Sequence, residues 1–285
     1  MTARAKPAVD GLPRGRAAQA HAGSAVKHLA RRLRNALRRT AFAALTPGLR
    51  LDPAELVANR SVLVIGPAAG VAGELAELDP DGFDVIIRMN RGLLLAADPA
   101  NGVGTRTDIL FHNLKEAGPR SAGRLSGALL DAGGVRHVVF PHALPGQLHA
   151  IRRARHRLRS LACRADLRLV PPRLSERLSR ELAPWLPTTG TVAIAFAAEG
   201  RPRRLAIVGF SFFRTGYQPG YAPAANAGSD PAAWAAGDGA HDPLRDRDVL
   251  RTLLAELADS GVEVVLGREV RKHLGATGPA VGTSR

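Results

Sequence analysis

The sequence predicts an α/β domain: a single Rossmann-like, doubly wound, mostly parallel sheet of seven strands. Two observations carry this. Seven short apolar runs rich in β-branched residues are each bounded by turn residues, and helical-looking stretches lie between several of them. Strands that are apolar throughout, alternating with helices, belong in a parallel sheet covered on both faces. One such domain fits residues 56–275 of the 285 in the chain.

Taken in order, residues 1–25 are rich in Ala, Gly, Pro and Arg without apolar period and read as a disordered basic tail. In 26–45, Val26, Leu29, Leu33, Leu37, Phe42 and Leu45 recur at helical spacing, with Arg31, Arg32, Arg34, Arg38 and Arg39 mostly between them. That predicts a basic amphipathic helix stopped by Pro47-Gly48, with a linker to residue 55. Such a helix lies on anionic lipid or docks on the domain with a solvated Arg face, and the sequence leaves both open. Strands are expected at 62–65, 84–88, 107–111, 135–140, 167–170, 205–208 and 262–266, and helices at 121–132, 173–183, 190–199 and 243–259. Residues 214–240 are Gly/Ala/Pro-rich and aperiodic, as in a lid over an active site. Residues 276–285 read as a loose tail.

With 45% hydrophobic but only 4% aromatic residues, the core must be mainly Ala, Val, Leu and Ile. The one cysteine, Cys163, excludes an intrachain disulfide and fits a reducing compartment; an inert filler is its simplest role. The net charge is +15, and Arg supplies most of the cations. With the abundant Ala, Gly and Pro, this skew is what a GC-rich genome produces. Residues 1–60 hold 12 Lys/Arg against 3 Asp/Glu, and 151–180 hold 10 Arg against 2 acids, so the rest is near neutral. Two local basic patches fit an anionic partner. Aromatics are too few and scattered for a base-stacking surface, which argues against nucleic acid. No run is long and apolar enough to span a bilayer, and no secretory signal is visible. The expected location is cytoplasmic and bacterial, with a peripheral position at the inner face of the plasma membrane left open. The Arg-rich start imitates a transit peptide, a reading that fits the rest of the chain less well.

The chemistry concentrates in two stretches. After the first strand comes Gly66-Pro67-Ala68-Ala69-Gly70, whose small residues let backbone approach a ligand at a strand's carboxyl end. A dinucleotide site would show G-x-G-x-x-G and an acid ending the second strand; this chain has G-x-x-x-G and Arg88-Met89-Asn90. Arg88 and Asn90, two apart, are expected on one face, Asn90 suited to ribose or phosphate; a structural ion pair and a turn cap are the plainer alternatives. Thr188-Thr189-Gly190 opens an apolar helix, a ready anion site or an ordinary N-cap. His241 precedes Asp242-Pro243 at a helix start, where the dipole favours the neutral ring and hence a base; the plainer reading is a surface loop histidine. His112 is the runner-up.

Together these stretches resemble the sialyltransferases. Residues 62–113, with VIIRMNRG and VGTRTD, look like the long sialyl motif of glycosyltransferase family 29. Residues 186–210 look like the short motif, and His241 with Asp246 like the C-terminal His-x4-Glu motif with Asp for Glu. The region from Phe212 on, with Tyr217 and Tyr221, looks like bacterial family 42. The resemblance implies a GT-A-variant sialyltransferase fold and an inverting, metal-independent glycosyltransferase. It would move a sialic acid, a related nonulosonate or Kdo from its CMP-sugar to a hydroxyl of a glycan or glycolipid acceptor, in cell-surface glycan biosynthesis. It implies His241 as base, Tyr217 or Tyr221 as donor to the leaving phosphate, Asn90 on the CMP ribose or phosphate, and Thr188, Thr189 and Gly190 on the donor. Gly66, Arg88, Asn113 and Gly209 in the matched stretches are further substrate-binding candidates. No cofactor is expected beyond the CMP-activated donor, and no Asp-x-Asp metal motif is present. Membrane contact, if any, would run through residues 26–45. Pro67 stands where these families carry Asn, which supports the alternative of a non-catalytic nucleotide-binding relative.

Overall fold

The computed structural model describes residues 37, 40, 42, 44–118, 120–222, 230–237 and 240–275. The expected tails 1–25 and 276–285 lie outside them. Of the expected helix 26–45, Leu37, Thr40, Phe42, Ala44 and Leu45 are described and helical, and the remainder lies outside. The chain forms two compact units, Met1–Pro47 and Gly48–Arg285, the second holding the whole sheet.

The seven strands are β1 Ser61–Ile65, β2 Val85–Met89, β3 Ile109–Phe111, β4 His137–Phe140, β5 Asp166–Leu169, β6 Arg204–Val208 and β7 Glu263–Leu266. They pair in the order β5-β4-β3-β2-β1-β6-β7, every pair parallel. Central β1 is flanked in register, Val64 by Ile87 of β2 and Ile207 of β6, and all five of its residues are buried. The chain builds outward from β1 to β5, then returns to the other side of β1 for β6. That reversal makes the β1/β6 junction the topological switch point, where the carboxyl ends of adjacent strands open a crevice.

Before, between and after the strands lie α1 Pro53–Val57, α2 Val71–Ala76, α3 Gly92–Ala96, α4 Gly127–Ala132, α5 Leu148–Ser160, α6 Pro172–Glu181, α7 Thr189–Glu199, α8 Pro231–Ala236, α9 Pro243–Asp259 and α10 Arg268–Leu274. One sheet face, with Leu63, Ile65, Ile86, Ala206 and Val208, packs on Val71 and Leu75 of α2 and on Phe83 and Val103. The other carries α7, which crosses β1, β2, β3 and β6. This helix is apolar all round because the sheet lies beneath it and α9, α6 and α1 surround it. Its alanines permit close approach, and Phe196 meets Phe111 edge-on at 5.4 Å. Each large side chain it buries contributes roughly 2 kcal/mol.

The short helices α1, α2, α3 and α10 were not expected, and three further elements depart from the sequence reading. The helix expected from 121 begins only at Gly127, because Gly123 turns back at φ +88° and Ser126 caps the later start. Helix α5 was not expected: among 13 residues only Ile151 and Leu158 are fully buried, so Arg dominates the pattern. Within the aperiodic stretch 214–240, Pro231–Ala236 is helical, while 223–229 and 238–239 lie outside the described residues.

Candidate functional site

A cleft of about 1290 Å³ opens at the carboxyl ends of the strands, beside the β1/β6 junction. Its floor depends on two glycines. A Cβ on Gly66 would lie 2.2 Å from the Gly209 carbonyl oxygen, so only glycine lets the two strand ends meet. Gly209 itself adopts φ +71°, and its N–H is held by Glu74 of α2 at 2.8 Å. The second carboxylate oxygen of Glu74 accepts from the Glu269 N–H at 2.7 Å, which locks β6, α2 and α10 around the turn. Gly66 therefore shapes the site without lining it, whereas Gly209 lines it. Sequence reasoning missed Glu74, which sits in no motif.

The segment after β6 folds back over the first turn. Ala68 bridges Tyr217, the Ala69 N–H donates to the Gly216 carbonyl at 2.8 Å, and the Gln218 N–H donates to the Pro67 carbonyl at 2.8 Å. Consecutive left-handed residues, Phe212 at φ +50° and Phe213 at φ +61°, make the bend. Non-glycine residues hold this conformation only where the surroundings impose it. The result is an aromatic wall: Phe213 meets Tyr217 at 6.0 Å and Tyr217 meets Tyr221 at 5.0 Å. Burial raises both phenol pKa values above the ordinary range, so both hydroxyls remain protonated donors at neutral pH.

Arg88 and Asn90 part company. Arg88 points into the α2 side, 1% exposed, its guanidinium donating to the carbonyls of Val103, Gly104 and Arg106. Burial lowers its pKa to about 10. It fixes the 102–106 loop and does not line the cleft. The strand pleat that would align the two ends at Met89; Asn90 is left-handed at φ +49°, which turns its side chain into the cleft. The Asn90 Oδ1 accepts from the Asn113 N–H at 3.1 Å, and the Tyr221 side chain hydrogen-bonds Asn90 from the other side. Asn113 lines the cleft with it.

The Thr188 hydroxyl caps α7, accepting from the Thr191 N–H at 3.2 Å. The anion-site and cap readings are thus compatible: the cap uses the Thr188 side chain, and the first-turn N–H groups of Thr189 and Gly190 have no i−4 carbonyl inside the helix. A Cβ on Gly190 would meet the Phe210 ring at 2.7 Å and push it aside. Buried Asp246 of α9 accepts from the Thr188 N–H at 3.3 Å, and desolvation raises its pKa to about 7 against hydrogen bonds from Thr191 and Thr188. Asp246 thus serves the Thr188 turn.

His241 lines the same cleft, just before the Asp242 cap of α9. Its ring Nδ1–H donates to the Leu186 carbonyl at 2.8 Å, and the Leu186 N–H donates to the Ala240 carbonyl at 2.8 Å. A carbonyl accepts only, so Nδ1 carries the proton and the basic lone pair resides on Nε2. His112 also borders the cleft, but the Leu114 N–H donates to its Nδ1 at 3.0 Å and its Nε2–H donates to the Gly123 carbonyl at 3.2 Å. Burial depresses its pKa to about 4, which makes it a structural ring. A third histidine, His142, was not singled out from the sequence. It lies edge-on to Phe140, and burial, His241 and Lys115 hold its pKa near about 4.

Of the eleven residues anticipated, the cleft brings together Asn90, Asn113, Thr188, Thr189, Gly190, Gly209, Tyr217, Tyr221 and His241; Gly66 and Arg88 stand behind it. Among the described residues no cluster of His, Cys, Asp and Glu could hold a metal ion, and no helix is long and apolar enough to cross a membrane.

No family model matches the chain, and no curated protein matches it. Among solved structures it is similar to a mammalian sialyltransferase, at 16% identity and TM-score 0.48, over 80% of this chain and 77% of that one. It is also similar to the α-2,3-sialyltransferase of Campylobacter jejuni in apo form, at 10% identity and TM-score 0.44, over 75% and 78%. A third is CstII from Campylobacter jejuni in complex with cytidine-5'-monophosphate, at 12% identity and TM-score 0.42, over 73% and 80%. All three scores lie below 0.5, so the functional reading rests on the residues of the cleft.

Proposed function

We propose that this protein is an inverting, metal-independent glycosyltransferase that moves a sialic acid or related nonulosonate, or Kdo, from a CMP-sugar to a hydroxyl of a glycan acceptor. The observation that carries the reading is the convergence of Asn90, Thr189, Gly190, Tyr217 and His241 on one cleft at the switch point. The nucleotide would sit over Gly209, with Asn90 and Asn113 on its ribose. The first turn of α7 would hold the donor's carboxylate.

In the proposed reaction the acceptor oxygen forms a bond to the anomeric carbon as its proton passes to Nε2 of His241. The bond from that carbon to the phosphate oxygen breaks, and CMP departs with the electron pair. Charge then grows on the phosphate. Tyr217, a protonated phenol with the Arg120 guanidinium near enough to act on it, donates to that oxygen. Tyr221 is better placed as a positioning group, because its hydroxyl faces Asn90 and donates to the Met89 carbonyl at 3.5 Å. The donor is a monophosphate, so the scheme assigns no step to a metal.

One observation favours a second reading, a non-catalytic CMP-binding relative. Pro67 lines the cleft and has no N–H to offer a donor phosphate. A thermal-shift series with CMP, UDP, GDP and NAD, followed by transfer assays with CMP-sugars, separates the two. The transferase reading expects a shift with CMP alone and turnover that His241→Ala lowers at least ~100-fold with CMP binding retained. CMP binding without turnover in the unmutated protein leaves the second reading, and a shift with another nucleotide alone removes both.

A further inference from the structure

The cleft does not end at the nucleotide cradle. It continues along the sheet toward β4, where its wall is residues 113–118, 120 and 121 and one face of α5. Ala150, Arg153, Ala154 and Arg157 line it, at the i, i+3, i+4 and i+7 spacing that puts residues on one helical face. Ile151 and Leu158 on the adjoining face anchor α5 to the domain core. Arg152 and Arg159 point elsewhere and do not line the cleft, so the basic character of α5 divides into an outer face and an inner one. Lys115 adds a further cation from the facing segment, whose Arg120 lies near enough to Tyr217 to act on it. The one acid on this wall, Glu116, is engaged by Arg157 at 2.8 Å. The side chains of Arg153 and Lys115 make no hydrogen bond or ion pair with the described residues.

Position decides which anion this wall serves. The donor's phosphate belongs at the β1/β6 junction. Helix α5 packs on β5, four strands from β1. At ~4.8 Å per strand spacing β5 lies about 19 Å from β1, which sets the α5 face apart from a phosphate seated on Gly209.

We infer that this end of the cleft is a subsite for an anionic group, a phosphate or a carboxylate, on the acceptor glycan, held by Arg153 and Lys115 with Arg157 beside them. The inference rests on the transferase reading for the word acceptor, but the subsite's chemistry stands on its own lining. An acceptor bearing such a group would be drawn in electrostatically and set with its charged end at α5 and its reacting hydroxyl toward His241.

Calorimetric titration of the full chain with three glycosides tests this: methyl β-galactoside, its 6-phosphate, and methyl β-glucuronide. The charged glycosides should bind about tenfold more tightly than the neutral one at low salt, with the advantage shrinking as salt rises. The phosphate and the glucuronide, compared directly, report which anion is preferred. The double variant Arg153→Gln, Lys115→Gln, both residues being exposed, should erase the preference. Equal affinity for charged and neutral glycosides, including binding of none, overturns the inference, as does a preference that survives in the double variant. Titration of the unmutated protein with CMP in the same series reports separately on the transferase reading.

Discussion

Asp246→Asn should make the protein more stable at neutral pH, and the gain should vanish in acid. Asp246 is 2% exposed, and its carboxyl holds the Thr188 N–H. Desolvation is the largest influence on it and raises its pKa from 3.8 to about 7. In the unfolded chain the group titrates near ~3.9. Between these values the folded protein keeps a proton that the unfolded chain releases, so wild-type stability falls as pH rises through the window. Asparagine presents the same carbonyl acceptor to Thr188 and cannot ionise. At ~1.4 kcal/mol per pKa unit, the stability advantage of Asp246→Asn should grow from near zero at pH 3.5 through ~2 kcal/mol at pH 5 to ~4 kcal/mol at pH 8. Urea unfolding followed by far-UV circular dichroism at five pH values between 3.5 and 8 measures it, with unchanged m-values as the control for two-state behaviour. A difference independent of pH, or a variant less stable at pH 8, would refute the reasoning that the buried carboxyl is held near neutrality by desolvation.

Gly66→Ala forces a methyl to within 2.2 Å of the Gly209 carbonyl oxygen; the β1/β6 ends must separate, and a loss of ~2–3 kcal/mol should appear as a lower Tm together with a weaker CMP shift. Arg88→Met leaves the carbonyls of Val103, Gly104 and Arg106 without their guanidinium; unfolding titration should read a loss of roughly 3 kcal/mol, and amide exchange should quicken at 102–106. Tyr217→Phe keeps the aromatic wall and removes one donor, so kcat should fall at least ~10-fold with CMP affinity little changed, a split that steady-state kinetics resolves.

The sheet was legible because its strands are apolar on both faces. Runs such as VLVI and LAIV admit no other placement in a chain of alternating strands and helices. Helix α9 was legible from end to end because Asp242 and Pro243 open it, and α7 from its uninterrupted apolar run. Helix α5 was not, because it rests on the domain by only two fully buried residues and turns arginine both to solvent and into the cleft. The site was legible where function rests on backbone turns next to strands, as at Thr188-Thr189-Gly190. It was obscured where one dihedral decides direction: the pleat rule aligns Arg88 with Asn90, and the φ of +49° at Asn90 undoes it. Glu74 was missed because its role comes from Gly209 and Glu269, which the fold brings beside it, and His142 because its burial edge-on to Phe140 comes from tertiary packing. No local pattern encodes such meetings.

The most direct measurement is hydrogen–deuterium exchange of the full chain with and without CMP. If the switch-point cleft is a cytidylate cradle, protection should rise together in the peptides spanning 66–70, 89–91, 188–191 and 209–217. Protection confined to other segments, or none at saturating CMP, would contradict it.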